Sequence, residues 1–204
     1  MELYYAPASP FARKAHACII ELGLLDQVDL IVTPVIPGKP NQEYVQQSNP
    51  LGKIPSLKIS DADTLFDSTT ICLYLDSIST TGSVLPENGP ERFSTLTRHA
   101  LAHGICESAV TIRYETFLRP EDKQWDVWVD DQWNKIDRAL AWFDGHQSDW
   151  QGPVDLAQIT LGCALGYLDF RSPDHQWRTR HSELAEWFDK ISDRESFSHT
   201  LPTA

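Results

Sequence analysis

Ser9-Pro10-Phe11-Ala12-Arg13-Lys14 is the stretch on which the fold turns. It follows a short apolar run, Leu3-Tyr4-Tyr5-Ala6, and opens an apolar-periodic segment from Ala15 to Leu24. A strand therefore hands over to a helix at a hydroxyl. Ser is a favoured N-cap, and Pro suits the first helical position because its missing N–H would be unpaired there anyway. The free N–H groups of a first turn, together with the helix dipole, favour a negative charge at this place. A thiolate fits it as well as a phosphate.

The pattern on either side is mixed at first and then wholly helical. Residues 3–6 read as a strand, 10–24 as a helix and the β-branched run 28–35 as a second strand. Pro34, Pro37, Gly38 and Pro40 then break regular structure, and residues 41–47 read as a short helix. Residues 55–59 and 64–66 read as short strands around the polar turn Ser60-Asp61-Ala62-Asp63. Asp67 and Ser68 are both cap residues for a helix to about Ile78. The expected order is βαβαββα over residues 1–78. Residues 79–90, rich in Ser, Thr, Gly and Pro, read as a linker.

Residues 91–204 carry helical patterns at 91–117, 121–146, 155–170 and 182–192. In the second of these Trp125, Trp128, Val129, Ile136, Ala139, Leu140 and Phe143 share a stripe, so the tryptophans are read mostly as core. Asp155 with Gln158 reads as a capping box, and Val154 with Ile159 as a hydrophobic staple. A mixed α/β domain followed by an all-α domain is the expected architecture.

Composition narrows the function. The 204 residues are 41% hydrophobic and 10% aromatic, enough for a real core. The net charge of −12 argues against nucleic acid and anionic membranes as partners. An anionic ligand would then need positive charge gathered locally. Arg13, Lys39, Lys53 and Arg113 are candidates, with Lys53 and Lys39 on loops; the alternative for Arg13, and for Lys14, is that they face solvent. The opening residues Met1-Glu2-Leu3-Tyr4 do not read as a signal peptide, and no apolar run reaches the length of a membrane span. Cys18, Cys72, Cys106 and Cys163 form no C-x-x-C pair. They read as buried small hydrophobes in a reducing cytoplasm.

Asn49-Pro50-Leu51-Gly52-Lys53-Ile54-Pro55 is the second informative segment. Pro50 and Gly52 make a turn, and Pro55 begins a strand. Ser9-Pro-Phe-x-Arg-Lys, Asn49-Pro-Leu-Gly-Lys-Ile-Pro55 and Leu65-Phe-Asp-Ser-Thr-Thr-Ile71, in that order, resemble the cytosolic-type glutathione S-transferases, most of all bacterial members. The resemblance implies a thioredoxin-like first domain binding glutathione and a helical second domain lining the site for a small electrophile. It implies a cis Pro55, an Ile54 that pairs with the cysteinyl backbone of glutathione, and Asp67 and Ser68 at its γ-glutamyl end. Ser9, Phe11, Lys39, Lys53, Ile54, Pro55, Asp67 and Ser68 are then the expected glutathione-binding residues, with glutathione as co-substrate and no other cofactor. A homodimer is implied as well.

Ser9 is the candidate catalytic residue, donating a hydrogen bond to the thiolate; the alternative is that it only caps the helix while backbone donors activate the thiol. Disulfide exchange through a protein thiol at this place is excluded, because no cysteine opens the first helix. His99, His103 and Glu107 recur at i, i+4 and i+8, a metal-ligand spacing in form, but no fourth ligand closes it and no metal is expected. His103, Glu107 and Arg113 are the expected residues of the second-substrate pocket. The expected reaction is thiolate attack on an electrophile. The alternatives are glutathione-dependent reduction of peroxides or disulfides, and glutathione or ligand binding without catalysis.

Overall fold

A computed structural model describes residues 1–150 and 152–203 of the chain. The expected second domain also spans residues 151 and 204, which lie outside the described residues.

The first domain is built on a four-stranded sheet of order β2-β1-β3-β4. Strand β1 (Glu2–Tyr5) is parallel to β2 (Asp29–Val32) and antiparallel to β3 (Ser56–Lys58), which pairs with β4 (Thr64–Leu65). The parallel pair requires a crossover, and helix α1 (Pro10–Glu21) supplies it. Leu3 and Leu57, opposite one another across β1 and β3, are completely buried. Helix α2 (Gln42–Gln47) is short, and Asn41 caps it by accepting from the Tyr44 N–H. Helix α3 (Ser68–Ile78) packs beside α1. This is the thioredoxin-like arrangement.

The second domain is all helix: α4 (Gly89–Arg113), α5 (Asp126–Gly145), α6 (Leu156–Arg171), α7 (Trp177–Arg180), α8 (Ser182–Ser192) and α9 (Glu195–Ser198). Helix α6 is buried on nearly every side from Leu156 to Leu168 and forms the axis of the domain. It runs alongside α4 in the same direction. Thr95 donates to the Asp155 carboxylate at 3.4 Å, and His99 Nδ1 lies 2.8 Å from Thr160 Oγ1 further along. A Cβ on Gly162 would collide with Phe197 and one on Gly166 with Arg13, so the first glycine lets α9 seat on α6 and the second lets α1 of the first domain close on α6.

Several expectations need correction. The helix expected over 91–117 is α-helical to Arg113; a π-helical turn, Tyr114–Leu118, follows, closed by the Arg119 N–H on the Tyr114 carbonyl. The helix expected from 121 begins at Asp126, after a short 3₁₀ turn. Ile136, Ala139, Leu140 and Phe143 are core as expected, but Trp125 and Trp128 are 62% and 40% exposed and stack on each other. Asp155 does cap α6 through the Gln158 N–H at 2.8 Å. The Gln158 amide instead donates to the Trp150 and Pro153 carbonyls, so the capping box is one-sided. All four cysteines are unpaired and buried.

Arg13 and Lys14 do not face solvent. Arg13 is 5% exposed and donates to the Phe197 carbonyl at 3.1 Å and to Thr200 Oγ1 at 3.2 Å, tying α1 to α9. Lys14 is 1% exposed and points to the second domain. No helix of the described residues is long and apolar enough to cross a membrane.

Candidate functional site

Three backbone devices meet at the carboxyl end of β1. The first is the start of α1. Ser9 is the N-cap, extended at φ −86° and ψ 122°, and its Oγ accepts from the Ala12 N–H at 3.3 Å. That contact uses a lone pair. The hydroxyl proton has no acceptor among the described residues and is free to be donated, so capping and thiol activation do not compete.

The second device is the proline loop. The Ile54–Pro55 peptide is cis, as the resemblance implies. Neither the N–H nor the C=O of Ile54 makes a backbone hydrogen bond among the described residues. The loop is braced from within. Asn49, 2% exposed, donates to the Lys53 carbonyl and accepts from the Leu51 N–H, and Tyr44 donates to the same carbonyl at 2.7 Å. Gly52 sits at φ +62° with Val45 close by, a position a Cβ would strain. The Lys53 side chain itself is exposed, and so is Lys39 in its own turn.

The third device is the start of α3. Asp67 alone is the cap: its Oδ1 accepts from the Thr69 and Thr70 N–H groups at 2.9 and 3.4 Å. Ser68 is one residue inside the helix. It is 1% exposed, and its Oγ is buried with no hydrogen-bond partner. A buried hydroxyl left unpaired costs about 1–3 kcal/mol, and this one is left open to a further partner. Burial pushes the Asp67 carboxyl up, but the Thr69 and Thr70 N–H bonds and the Lys14 and His103 fields outweigh it and hold it below its usual value.

Lys14 links these devices to the second domain. Its Nζ lies 3.1 Å from His103 Nδ1 and 3.4 Å from Thr69 Oγ1. No carboxylate pairs with it among the described residues. The network sets its own tautomers. Lys14 can only donate, so His103 Nδ1 accepts and its proton sits on Nε2, 3.9 Å from the Glu107 carboxylate. Thr160 donates to the Leu156 carbonyl, so it accepts from His99 Nδ1–H, and His99 Nε2 then accepts from Thr69.

Both imidazoles are neutral. Burial, then the Lys14 charge, lowers His99 to about 3 and His103 to about 4. In the unfolded chain both titrate near 6.5. Between about pH 6.5 and 4 the unfolded state therefore binds protons that the folded state refuses. Stability is full above 6.5 and falls with pH, by up to about 1.4 kcal/mol per pH unit for each ring. Denaturant midpoints should drop from pH 7 to pH 5, and His99→Gln should flatten that slope. An unchanged slope in the variant would mean that His99 is not held neutral.

The structure brings Ser9, Ile54, Pro55, Asp67 and Ser68 to these devices. The Phe11 ring lies 5.0 Å from that of His103, which joins His103 to them. Glu107 is 65% exposed in its side chain. Arg113 stands ten residues beyond His103, about 15 Å along α4, over the Phe117 ring. His99 is buried rather than on a solvated face. Both histidines are engaged by Lys14, Thr69 and Thr160, and no cluster of metal-ligating side chains forms among the described residues. Lys14 is the residue sequence reasoning missed, although it stands in the opening motif.

The glutathione S-transferase N-terminal domain matches residues 3–81, and the glutathione S-transferase C-terminal domain matches residues 126–190. The chain belongs to the glutathione S-transferase family. Among its relatives is the uncharacterized GST-like protein YibF of Escherichia coli K12, 31% identical over 99% of this chain and 98% of the relative. A crystal structure of a glutathione transferase family member from Pseudomonas fluorescens Pf-5 with bound glutathione is 40% identical. It covers 100% of this chain and 99% of its own, with a TM-score of 0.94. A second structure from that organism, with bound S-(propanoic acid)-glutathione, is also 40% identical, covers all of both chains and has a TM-score of 0.91.

Proposed function

We propose that this chain is a glutathione transferase that activates the thiol of glutathione for attack on a small electrophile. The observation that carries the reading is Ser68. Its buried hydroxyl has no partner, and its N–H makes no backbone bond among the described residues. Two donors at a helix start suit the α-carboxylate of a γ-glutamyl group. Asp67 keeps Oδ2 for the neighbouring ammonium, and Lys14 adds charge behind them. Ile54 would pair with the cysteinyl backbone, which leaves the sulfur near Ser9. The structures of similar proteins with glutathione or a glutathione conjugate bound support glutathione as the ligand.

Ser9 would then donate a hydrogen bond to the thiolate and keep its own proton. The sulfur attacks the electrophilic carbon, a C–S bond forms, and the leaving group departs with its bonding pair. The thiol proton goes to solvent. No protein thiol takes part in this scheme. The four cysteines are buried, and burial pushes the Cys106 and Cys163 thiols up. Their unpaired state supports a reducing compartment such as the cytoplasm.

Conjugation of an aryl halide by the purified chain tests the reading. Peroxide-dependent glutathione oxidation in its place would assign reduction, and tight binding with neither activity would assign a binding protein. Ser68→Ala tests the placement of glutathione. The γ-glutamyl end is remote from the sulfur and is held alike in ground and transition states, so KM for glutathione should rise roughly tenfold or more at unchanged kcat. Asp67 is the cap, so thermal stability should be unchanged or higher once the unpaired hydroxyl is gone. An unaltered KM would put the γ-glutamyl group elsewhere.

A further inference from the structure

Arg113 and Arg171 are the last residues of α4 and α6. The two helices run in the same direction from the Thr95–Asp155 and His99–Thr160 contacts, so their carboxyl ends lie together. Each guanidinium rests on an aromatic ring, Arg113 at 3.4 Å from the Phe117 centroid and Arg171 at 4.0 Å from that of Phe170. Neither forms an ion pair or hydrogen bond among the described residues. In a chain with 29 acidic residues, two adjacent arginines without an acid partner are unusual. A guanidinium stacked on a ring keeps its N–H fork open for a bidentate acceptor.

Tyr167, one turn before Arg171, completes the group. It is 5% exposed, and burial pushes its phenol up to about 12, so it remains a donor. Its hydroxyl makes no hydrogen bond among the described residues. Burial, then the Arg171 charge, lowers Arg113, against a smaller opposing effect of Tyr167, so the three groups lie near one another.

The group also stands at the right height. Helix α6 runs opposite to α1, with Gly166 against Arg13 and Cys163 near Cys18. Arg171 lies five residues past Gly166, about 7.5 Å along α6, and Ser9 lies four residues before Arg13, about 6 Å the same way. The carboxyl end of α6 is therefore level with Ser9.

We propose that the second substrate is a carboxylate-bearing electrophile whose acid group is held by Arg113 and Arg171 beside Tyr167. This rests on the transferase reading above and names its substrate class. The test is binding, read by calorimetry, of two conjugates that differ only in charge: S-(2-carboxyethyl)glutathione and its amide, S-(2-carbamoylethyl)glutathione. The parent should bind the acid at least tenfold more tightly than the amide. Arg113→Met and Arg171→Met should each reduce that ratio to about threefold or less, and Arg171→Lys should keep more of it than Arg171→Met. Arg113→Gln and Arg171→Gln remove the charge but keep a polar side chain, and the same loss of preference is expected in them, so they decide the matter if a methionine variant fails to fold. Equal affinity for acid and amide in the parent, or a preference that survives the substitutions, overturns the proposal. A parent that binds neither conjugate nor glutathione removes the transferase reading, and this one with it.

Discussion

Ser9→Ala should raise the pKa of glutathione bound to this chain and lower kcat roughly 10- to 100-fold, with KM for glutathione nearly unchanged. The free proton of the Ser9 hydroxyl is the reason. Its oxygen already accepts from Ala12, so donation toward the sulfur is what remains. A hydrogen bond to a charged group is worth about 1.5–3 kcal/mol, which sets the size of the loss. A free thiol titrates near 8.5, so without stabilisation little thiolate exists at neutral pH. Removing the cap should also cost about 1 kcal/mol of stability, read separately as a lower melting temperature. Ultraviolet titration of the bound thiolate gives the pKa directly, and Ser9→Thr should restore most of the activity. A kcat unchanged in the alanine variant would leave Ser9 as a helix cap and assign activation to the backbone.

Lys14→Met should raise KM for glutathione roughly 10- to 100-fold while kcat is largely kept. The chain carries a net charge of −12, so its overall field repels an anionic tripeptide. The Lys14 ammonium, buried against Thr69 at the start of α3, is the local opposite charge. A buried charge without a counter-ion is costly, and an apolar side chain of similar length relieves that cost. The melting temperature should therefore hold or rise as affinity falls. His99 and His103 should titrate higher once the Lys14 field is gone, visible by NMR as imidazole shifts nearer neutral pH. Retained glutathione affinity in a stable Lys14→Met would make this lysine a structural bridge and nothing more.

The local devices were legible because each is written within a few residues. Ser9-Pro10 announces a capped helix, and Pro50 with Gly52 announces a turn. Asp67 and Ser68 both looked like caps. The structure separates them because the carboxylate reaches two N–H groups, which leaves the serine hydroxyl idle. Lys14 was not legible. Its partner, His103, is 89 residues away, and no periodicity within α1 says which face will meet a second domain. Trp125 and Trp128 fit a buried stripe by spacing, yet they stand at the start of α5, where that helix still projects from the core. Gln158 had two ways to satisfy its amide, and tertiary carbonyls outcompeted the local one.

The hold of Arg13 on α9 has a consequence for how the chain is made. Its partners, Phe197 and Thr200, lie 184 and 187 positions downstream. At about 5–20 residues per second on a ribosome, α1 is synthesised roughly 10–40 s before the segment that covers its guanidinium. Lys14 waits about half as long for His103. Through that interval the helix carries two cations on the face it will later bury. The face of α1 that the second domain will cover stays charged until then, and it closes only near the end of synthesis.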